Sequence, residues 1–282
     1  MARGRHRPSF GDLHDDDGFP SFPDARLLAE GDSWFTVSGV PPFNLLFALR
    51  FHKPTEIVNL AQPGDQIRKM VQIAANSSLR RALSAGTPRW DGILLSGGGN
   101  DLIDEADDIL IDKVDRPANA KDPADFCDQT KLRTLIEGVQ AAYRTIAAMR
   151  DGPRGPGRKV PMLTHTYDYA TPRNAPARFF FARLGPWLFR ALKASEVPES
   201  QWIAVADYLI DTLADGLLAL SKGPNAIKNF HVVNTRGLLK RAQLGHPGDS
   251  NDWQNEIHPN DRGYKKIAKK IEPILESLIG TV

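Results

Sequence analysis

Five short segments of the chain are dense in apolar residues rather than alternating: 26–30 (RLLAE), 56–61 (EIVNLA), 92–96 (GILLS), 160–165 (VPMLTH) and 230–234 (FHVVN). Apolar runs of this length suit strands covered on both faces, as in a parallel sheet. Between them the apolar positions recur at three and four. Residues 67–83 put Ile67, Val71, Ala74 and Ala75 on one helical face; residues 131–149 repeat the pattern and stop at RDGPRGPGR; residues 201–220 and 261–279 behave alike. Strands alternating with helices predict βαβ units with right-handed crossovers. No internal repeat or long linker divides the chain, so residues 24–282 read as one α/β domain.

Three stretches fall outside this alternation. Residues 1–23 form a polar, proline-punctuated arm, expected to be disordered or draped over the surface. Insertions at about 102–130 and 170–200 follow the third and fourth strands. In an open α/β sheet ligands sit at the carboxyl ends of the strands, where both insertions emerge, so each is a candidate lid or specificity wall. The aromatic residues Phe179, Phe180, Phe181, Trp187 and Phe189 either line an acyl pocket or pack in the core.

Composition narrows the function classes. A net charge of +2 gives no general attraction to nucleic acid. The single cysteine, Cys127, excludes an internal disulfide or a Cys-rich zinc site, and no signature of a thiol nucleophile surrounds it. No apolar run reaches the ~18 residues of a spanning helix, and the N-terminus lacks the apolar core of a secretory signal, so a cytoplasmic location without an integral membrane segment is expected. The sequence leaves oligomeric state open.

The chemistry lies where the strands end. The first runs into Gly31-Asp32-Ser33, the second into a loop holding Gly64, the third into SGGGND (96–101), and near the C-terminus His258 precedes a proline and the last helix. A serine hydroxyl needs a base within hydrogen-bond reach to attack a carbonyl, and histidine is the usual one near neutral pH. The tetrahedral intermediate needs N–H donors aimed at its oxyanion, and glycine lets the backbone approach a ligand closely. Ser33, Gly64, Asn100 and His258 supply one candidate for each role. No Gly-x-Ser-x-Gly occurs, which argues against the α/β-hydrolase elbow. In THTYDYATP, His165, Tyr167 and Asp168 form either a loop packed against the site or part of a metal site lacking a recognisable third ligand.

In order, GDS at 31–33, Asn59 with GD at 64–65, Gly-x-Asn-Asp at 98–101 and HP at 258–259 resemble the four blocks of the SGNH (GDSL-type) hydrolases. The resemblance spans about residues 25–275. It implies a three-layer α/β/α flavodoxin-like fold on a central five-stranded parallel sheet, and esterase, lipase or related acyl-hydrolase activity on a small-molecule or lipid ester. It also implies Ser33 as nucleophile, His258 as general base, and an oxyanion hole of the Ser33 and Gly64 backbone N–H groups with the Asn100 amide; such enzymes need no metal or organic cofactor. At one point the chain departs from the pattern: the acid expected three residues before the histidine is Asn255. Asp252 reaches the imidazole if the loop bends back; Glu256, two before His258, points away in an extended segment. A Ser–His dyad aided by Asn255 or by a backbone carbonyl is the third possibility. A different class also remains: a phosphoester-processing or nucleotide-binding α/β protein using its glycine-rich loops as anion sites.

Overall fold

The apolar runs become strands because each backbone pairs with a neighbouring strand and most of their side chains are covered. The computed structural model describes residues 4–5, 7–10, 23–36, 43–72, 77–84, 89–179 and 182–280. Its main sheet holds six parallel strands: β1 (Arg7–Phe10), β2 (Ala25–Gly31), β3 (Thr55–Asn59), β4 (Gly92–Ser96), β5 (Met162–His165) and β6 (Phe230–Val233). Their order in space is β6-β5-β4-β2-β3-β1. The five expected strands are present with bounds shifted by a residue or two. Every residue of β4 and β5 is buried, so both faces of the sheet centre are covered and the architecture is a three-layer α/β/α stack. The order of β2–β6 is that of flavodoxin-like sheets, whose direction of winding reverses between β2 and β4.

Part of the N-terminal arm departs from expectation. It supplies β1 as a sixth strand parallel to β3, and Gly4–Arg5 pairs antiparallel with Arg50–Phe51. Pro8, which has no N–H to give a ladder, sits in this edge strand, where such a residue is tolerated. Residues 67–83, expected as one helix, form two pieces, Ile67–Met70 and Ser77–Ala82. The first ends at Val71, whose N–H turns to the Lys69 carbonyl, and Ala74 and Ala75 lie outside the described residues.

The helices used below are α1 (Leu45–Ala48), α2 (Ile67–Met70), α3 (Gly99–Asp104), α4 (Gln129–Asp151), α5 (Leu188–Ala194), α6 (Trp202–Ala219) and α7 (Asp261–Ile279). α4 begins where the Asp128 carboxylate accepts the N–H groups of Thr130 and Lys131, at 2.9 and 3.0 Å. It buries a stripe through Leu132, Leu135, Val139, Tyr143 and Ile146. α7 begins at Asn260, whose side chain accepts from Gly263 N–H, and ends at Gly280 in the left-handed conformation (φ 70°). α1 and α7 pack together, and α4 and α6 form a second pair. Within the second insertion, Ala177–Phe179 and Ala182–Leu184 form a hairpin ahead of α5. α5 packs on the short helix Ala106–Ile109 of the first insertion. None of the described helices is long and apolar enough to cross a membrane.

β2 and β4 are in close contact at Gly31, which pairs with Ser96. A Cβ added there would meet the Ser96 carbonyl oxygen at 2.6 Å and the Ser96 Cβ at 2.8 Å. Gly31→Ala is therefore expected to lower stability by roughly 1–3 kcal/mol through overpacking between two central strands, read as a lower urea midpoint with an unchanged slope.

Candidate active site

The turn after β2 is shaped by Asp32. Its N–H donates to the Ser96 carbonyl (3.1 Å), its Oδ1 accepts from Trp34 N–H (3.0 Å), and its carbonyl accepts from Phe35 N–H (3.1 Å). Ser33 is thereby lifted off the strand at the winding reversal. The loop before α7 is closed on itself: Asn260 N–H donates to the Asp252 carbonyl and Gln254 N–H to the His258 carbonyl, both at 2.9 Å. Trp34 Nε1–H donates to the Ile257 carbonyl at 3.2 Å, which ties the two turns together. The result brings His258 Nε2 to 2.7 Å from Ser33 Oγ, with both residues buried.

Asn255 Oδ1 decides the state of this histidine. It accepts the backbone N–H of Ile257 (3.1 Å) and of His258 (2.9 Å) and lies 3.0 Å from His258 Nδ1. An amide NH2 cannot accept from two N–H groups, so the oxygen is the atom that faces the ring. Nδ1 must then be the protonated nitrogen, and Nε2 carries the lone pair that accepts the Ser33 hydroxyl. Burial pushes the His258 pKa down to about 4, so the imidazole is neutral near pH 7.

The neighbouring carboxylates are engaged elsewhere, which corrects the expectation for Asp252. The Asp252 carboxylate accepts from Lys240 N–H (2.6 Å) and pairs with Lys266 (2.5 Å) on α7, away from Nδ1. Burial works against its charge, but these partners hold its pKa below the ordinary value. Glu256 points away from the ring, as expected. Its carboxylate accepts from the N–H groups of Trp187, Phe189 (2.7 Å) and Arg173 (3.4 Å), and burial pushes its pKa up to about 7.

Asn100 opens α3, and its Nδ2 donates to the Asp65 carbonyl at 3.0 Å, next to the exposed Gly64 (φ 80°). Asp101 anchors the same loop: its carboxylate accepts from Ile67 N–H (2.8 Å) and from Arg68 Nε (2.8 Å). Cβ atoms added at Gly97, Gly98 and Gly99 would meet Ile67, then Leu213 with Val139, then Tyr167. The glycine run is filled by neighbouring side chains. Only Gly98 needs glycine for its backbone as well (φ 105°).

His165 and Tyr167 pack against the site, the loop alternative of the sequence reading, and form a polar network with Ser96 and Asp32 beneath Ser33. His165 Nδ1 accepts Tyr167 N–H (3.3 Å), so Nε2 carries the proton and donates to Ser96 Oγ (3.1 Å). Ser96 Oγ donates to Asp32 Oδ1 (2.8 Å), and Tyr167 O–H donates to Asp32 Oδ2. Burial lowers the His165 pKa to about 3 and raises that of Asp32 to about 6, the donors from Tyr167, Trp34 and Ser96 offsetting part of the Asp32 rise. Trp34 stacks on His165 (centroids 5.1 Å, 15° between planes), and Tyr167 takes a positive φ of 62° to fit. Burial pushes the Cys127 thiol up to about 12, leaving essentially no thiolate at neutral pH.

A pocket opens above Ser33. Asp32, Ser33, Trp34, Asn100, Tyr167 and Asp168 supply its polar side, and apolar side chains line the other. Of the aromatic cluster, Phe180, Phe181 and the side chain of Phe179 lie outside the described residues. Trp187 stands edge-on to His258 (6.2 Å), and Phe189 packs edge-on against Trp202 (5.3 Å); Leu188, between them, lines the pocket. The arrangement places a hydroxyl, an oriented neutral base and an amide donor around one small space.

No protein-family model and no curated protein matches the chain. Among solved structures it is similar to a carbohydrate esterase family 3 protein from Talaromyces cellulolyticus (11% identity, 92% of this chain and 99% of that one, TM-score 0.47). It is also similar to the lipase/acylhydrolase from Enterococcus faecalis (13%, 90% and 96%, 0.44) and the native aryl esterase of M. smegmatis (15%, 90% and 99%, 0.44). Likenesses this distant say nothing of this chain's chemistry, which rests on its own residues.

The network under Ser33 makes a stability prediction. Tyr167→Phe removes a donor to a buried carboxylate, at a cost of about 1–3 kcal/mol where Asp32 is ionised. Removing that donor raises the Asp32 pKa further, so the loss grows as pH rises past about 6. Urea unfolding of wild type and variant is expected to differ more at pH 8 than at pH 5.

Proposed function

We propose that this protein is a serine hydrolase of carboxylic esters of the SGNH type, working through an acyl-enzyme. One observation carries the reading: Ser33 Oγ and His258 Nε2 lie 2.7 Å apart, with Nδ1 on Asn255 Oδ1, beside a pocket that Ser33 and Asn100 line. Ser33 Oγ attacks the ester carbonyl while Nε2 takes its proton. The carbonyl oxygen becomes an oxyanion, held by the Ser33 and Gly64 N–H groups and the second amide hydrogen of Asn100, the first being occupied by the Asp65 carbonyl. The C–O bond to the alcohol then breaks, and Nε2–H protonates the leaving oxygen. Water, deprotonated by Nε2, attacks the acyl carbon; the bond to Oγ breaks, the acid leaves, and Ser33 regains its proton.

The triad acid is replaced by an amide that orients without charge. Asn255 holds the correct tautomer, the function whose loss is most damaging when an orienting acid is changed. It does not stabilise the imidazolium, so the base keeps the low pKa that burial gives it. The anion-site alternative has less support, because side chains occupy the space beside the glycine run.

Two tests follow. A fluorophosphonate probe is expected to label the wild type and not Ser33→Ala, which should also lose ester turnover by roughly four orders of magnitude or more; full labelling of the variant would remove Ser33 from the mechanism. Asn255→Asp places a carboxylate on Nδ1–H and raises the imidazole pKa. The acid limb of kcat/KM, set in the wild type by a base neutral above about pH 4, is then expected to move upward by at least about one pH unit. Each unit corresponds to up to about tenfold in kcat through imidazolium stabilisation. An unmoved limb would mean that Nδ1 does not face residue 255.

A further inference from the structure

The pocket beside Ser33 is small, and one carboxylate fixes its wall. The apolar side is made by Ile103, Ala170, Leu188, Ile210, Trp253 and Ile257, and the cavity measures ≈ 40 Å³. An acyl group entering beside Ser33 meets this wall, so the wall bears on the length of chain the site accepts.

The second insertion contributes Ala170 and Leu188 to this wall. Leu188 is fully buried at the start of α5, between Trp187 and Phe189. The N–H groups of these two neighbours both donate to the Glu256 carboxylate. Glu256 stands two residues before His258, and its own N–H donates to the Ala175 carbonyl at 2.9 Å. Arg173, from the same insertion, donates through Nη2 to the Asn255 carbonyl at 2.7 Å. The carboxylate therefore joins the pocket wall to the loop that carries the base, so that Leu188 and the imidazole hold a fixed separation. A buried acid with backbone N–H partners on another element is costly to keep, and here its partners bracket a residue that lines the pocket.

We propose that Leu188, positioned by Glu256, forms a wall of the acyl site that favours short chains over long ones, making this a short-chain acyl esterase. The inference rests on the ester-hydrolase reading of Ser33. In it Leu188 is a specificity residue and Glu256 a positioning residue that touches no substrate.

The test is kcat/KM for p-nitrophenyl acetate, butyrate and octanoate, with active sites counted by a small fluorophosphonate. In the wild type, octanoate is expected to fall at least roughly 100-fold below acetate, since even one misfitting methylene can cost tenfold or more. Leu188→Ala and Ile210→Ala, on separate elements, should each raise the octanoate-to-acetate ratio about tenfold. Glu256→Gln presents an NH2 to an N–H it formerly accepted; it should loosen the wall and raise the same ratio. Should Glu256→Gln lower both esters in parallel with their ratio unchanged, its role is merely structural and the positioning claim falls. Equal rates on acetate and octanoate in the wild type would overturn the chain-length preference and leave the hydrolase reading standing. If no ester is cleaved and no adduct forms at Ser33, the hydrolase reading falls and this inference with it.

Discussion

A single amide oxygen sets the chemistry of the pocket. Asn255 Oδ1 takes two backbone N–H groups from its own loop, and those donors leave only one orientation in which the side chain can face His258. The ring's Nδ1–H completes the set, and the lone pair on Nε2 is delivered to Ser33. A carboxylate in the same place would orient the ring equally well and add charge. Burying that charge carries a desolvation cost which its attraction to a ring that is neutral at rest would not offset. An amide avoids the cost and gives up help for the imidazolium. Under the proposed acyl transfer, the donors at the oxyanion carry correspondingly more of the stabilisation.

The convergence of distant segments follows from the winding of the sheet. Ser33 and the glycine run leave neighbouring strands at the point where the direction of winding reverses, so their loops splay apart and leave a crevice. Hydrogen bonds then fix what topology brings near. Trp34 donates to Ile257, Asp101 collects the start of α2, and the Tyr143 hydroxyl donates to the Gly97 carbonyl at 2.9 Å. The first ties the two turns of the site together, and the others tie its loops to neighbouring helices. The pocket thus inherits the rigidity of the sheet, while the second insertion, joined through Glu256 and Arg173, supplies part of its wall.

Much of this was legible in the residues. The five apolar runs marked the central strands, because a strand covered on both faces has few polar positions to offer. The long periodic helices around Leu132, Leu209 and Ile267 were equally clear. Ser33, Asn100 and His258 could be nominated because each ends or follows an element in a way that only polar chemistry or a turn explains. The sixth strand was not legible: Arg7–Phe10 is polar and proline-bearing, and an edge strand reads like a tail. Nor was the choice among the residues near His258. Spacing placed Asn255, Asp252 and Glu256 close together, but which one meets Nδ1 depends on Lys266 from α7 and the N–H groups at the start of α5 claiming the two carboxylates first. Those partners lie far away in sequence. The signal available was Asn255 itself, three residues before the histidine, at the position an acid was expected to hold.

The most direct test of the account is ¹⁵N NMR of the His258 imidazole in the resting protein at pH 7. Protonated Nδ1 and unprotonated Nε2 are predicted, with a tautomer mixture appearing in Asn255→Ala, where no side-chain oxygen remains to accept the proton. A protonated Nε2 in the wild type would contradict the account, since that nitrogen would then have no lone pair with which to activate Ser33.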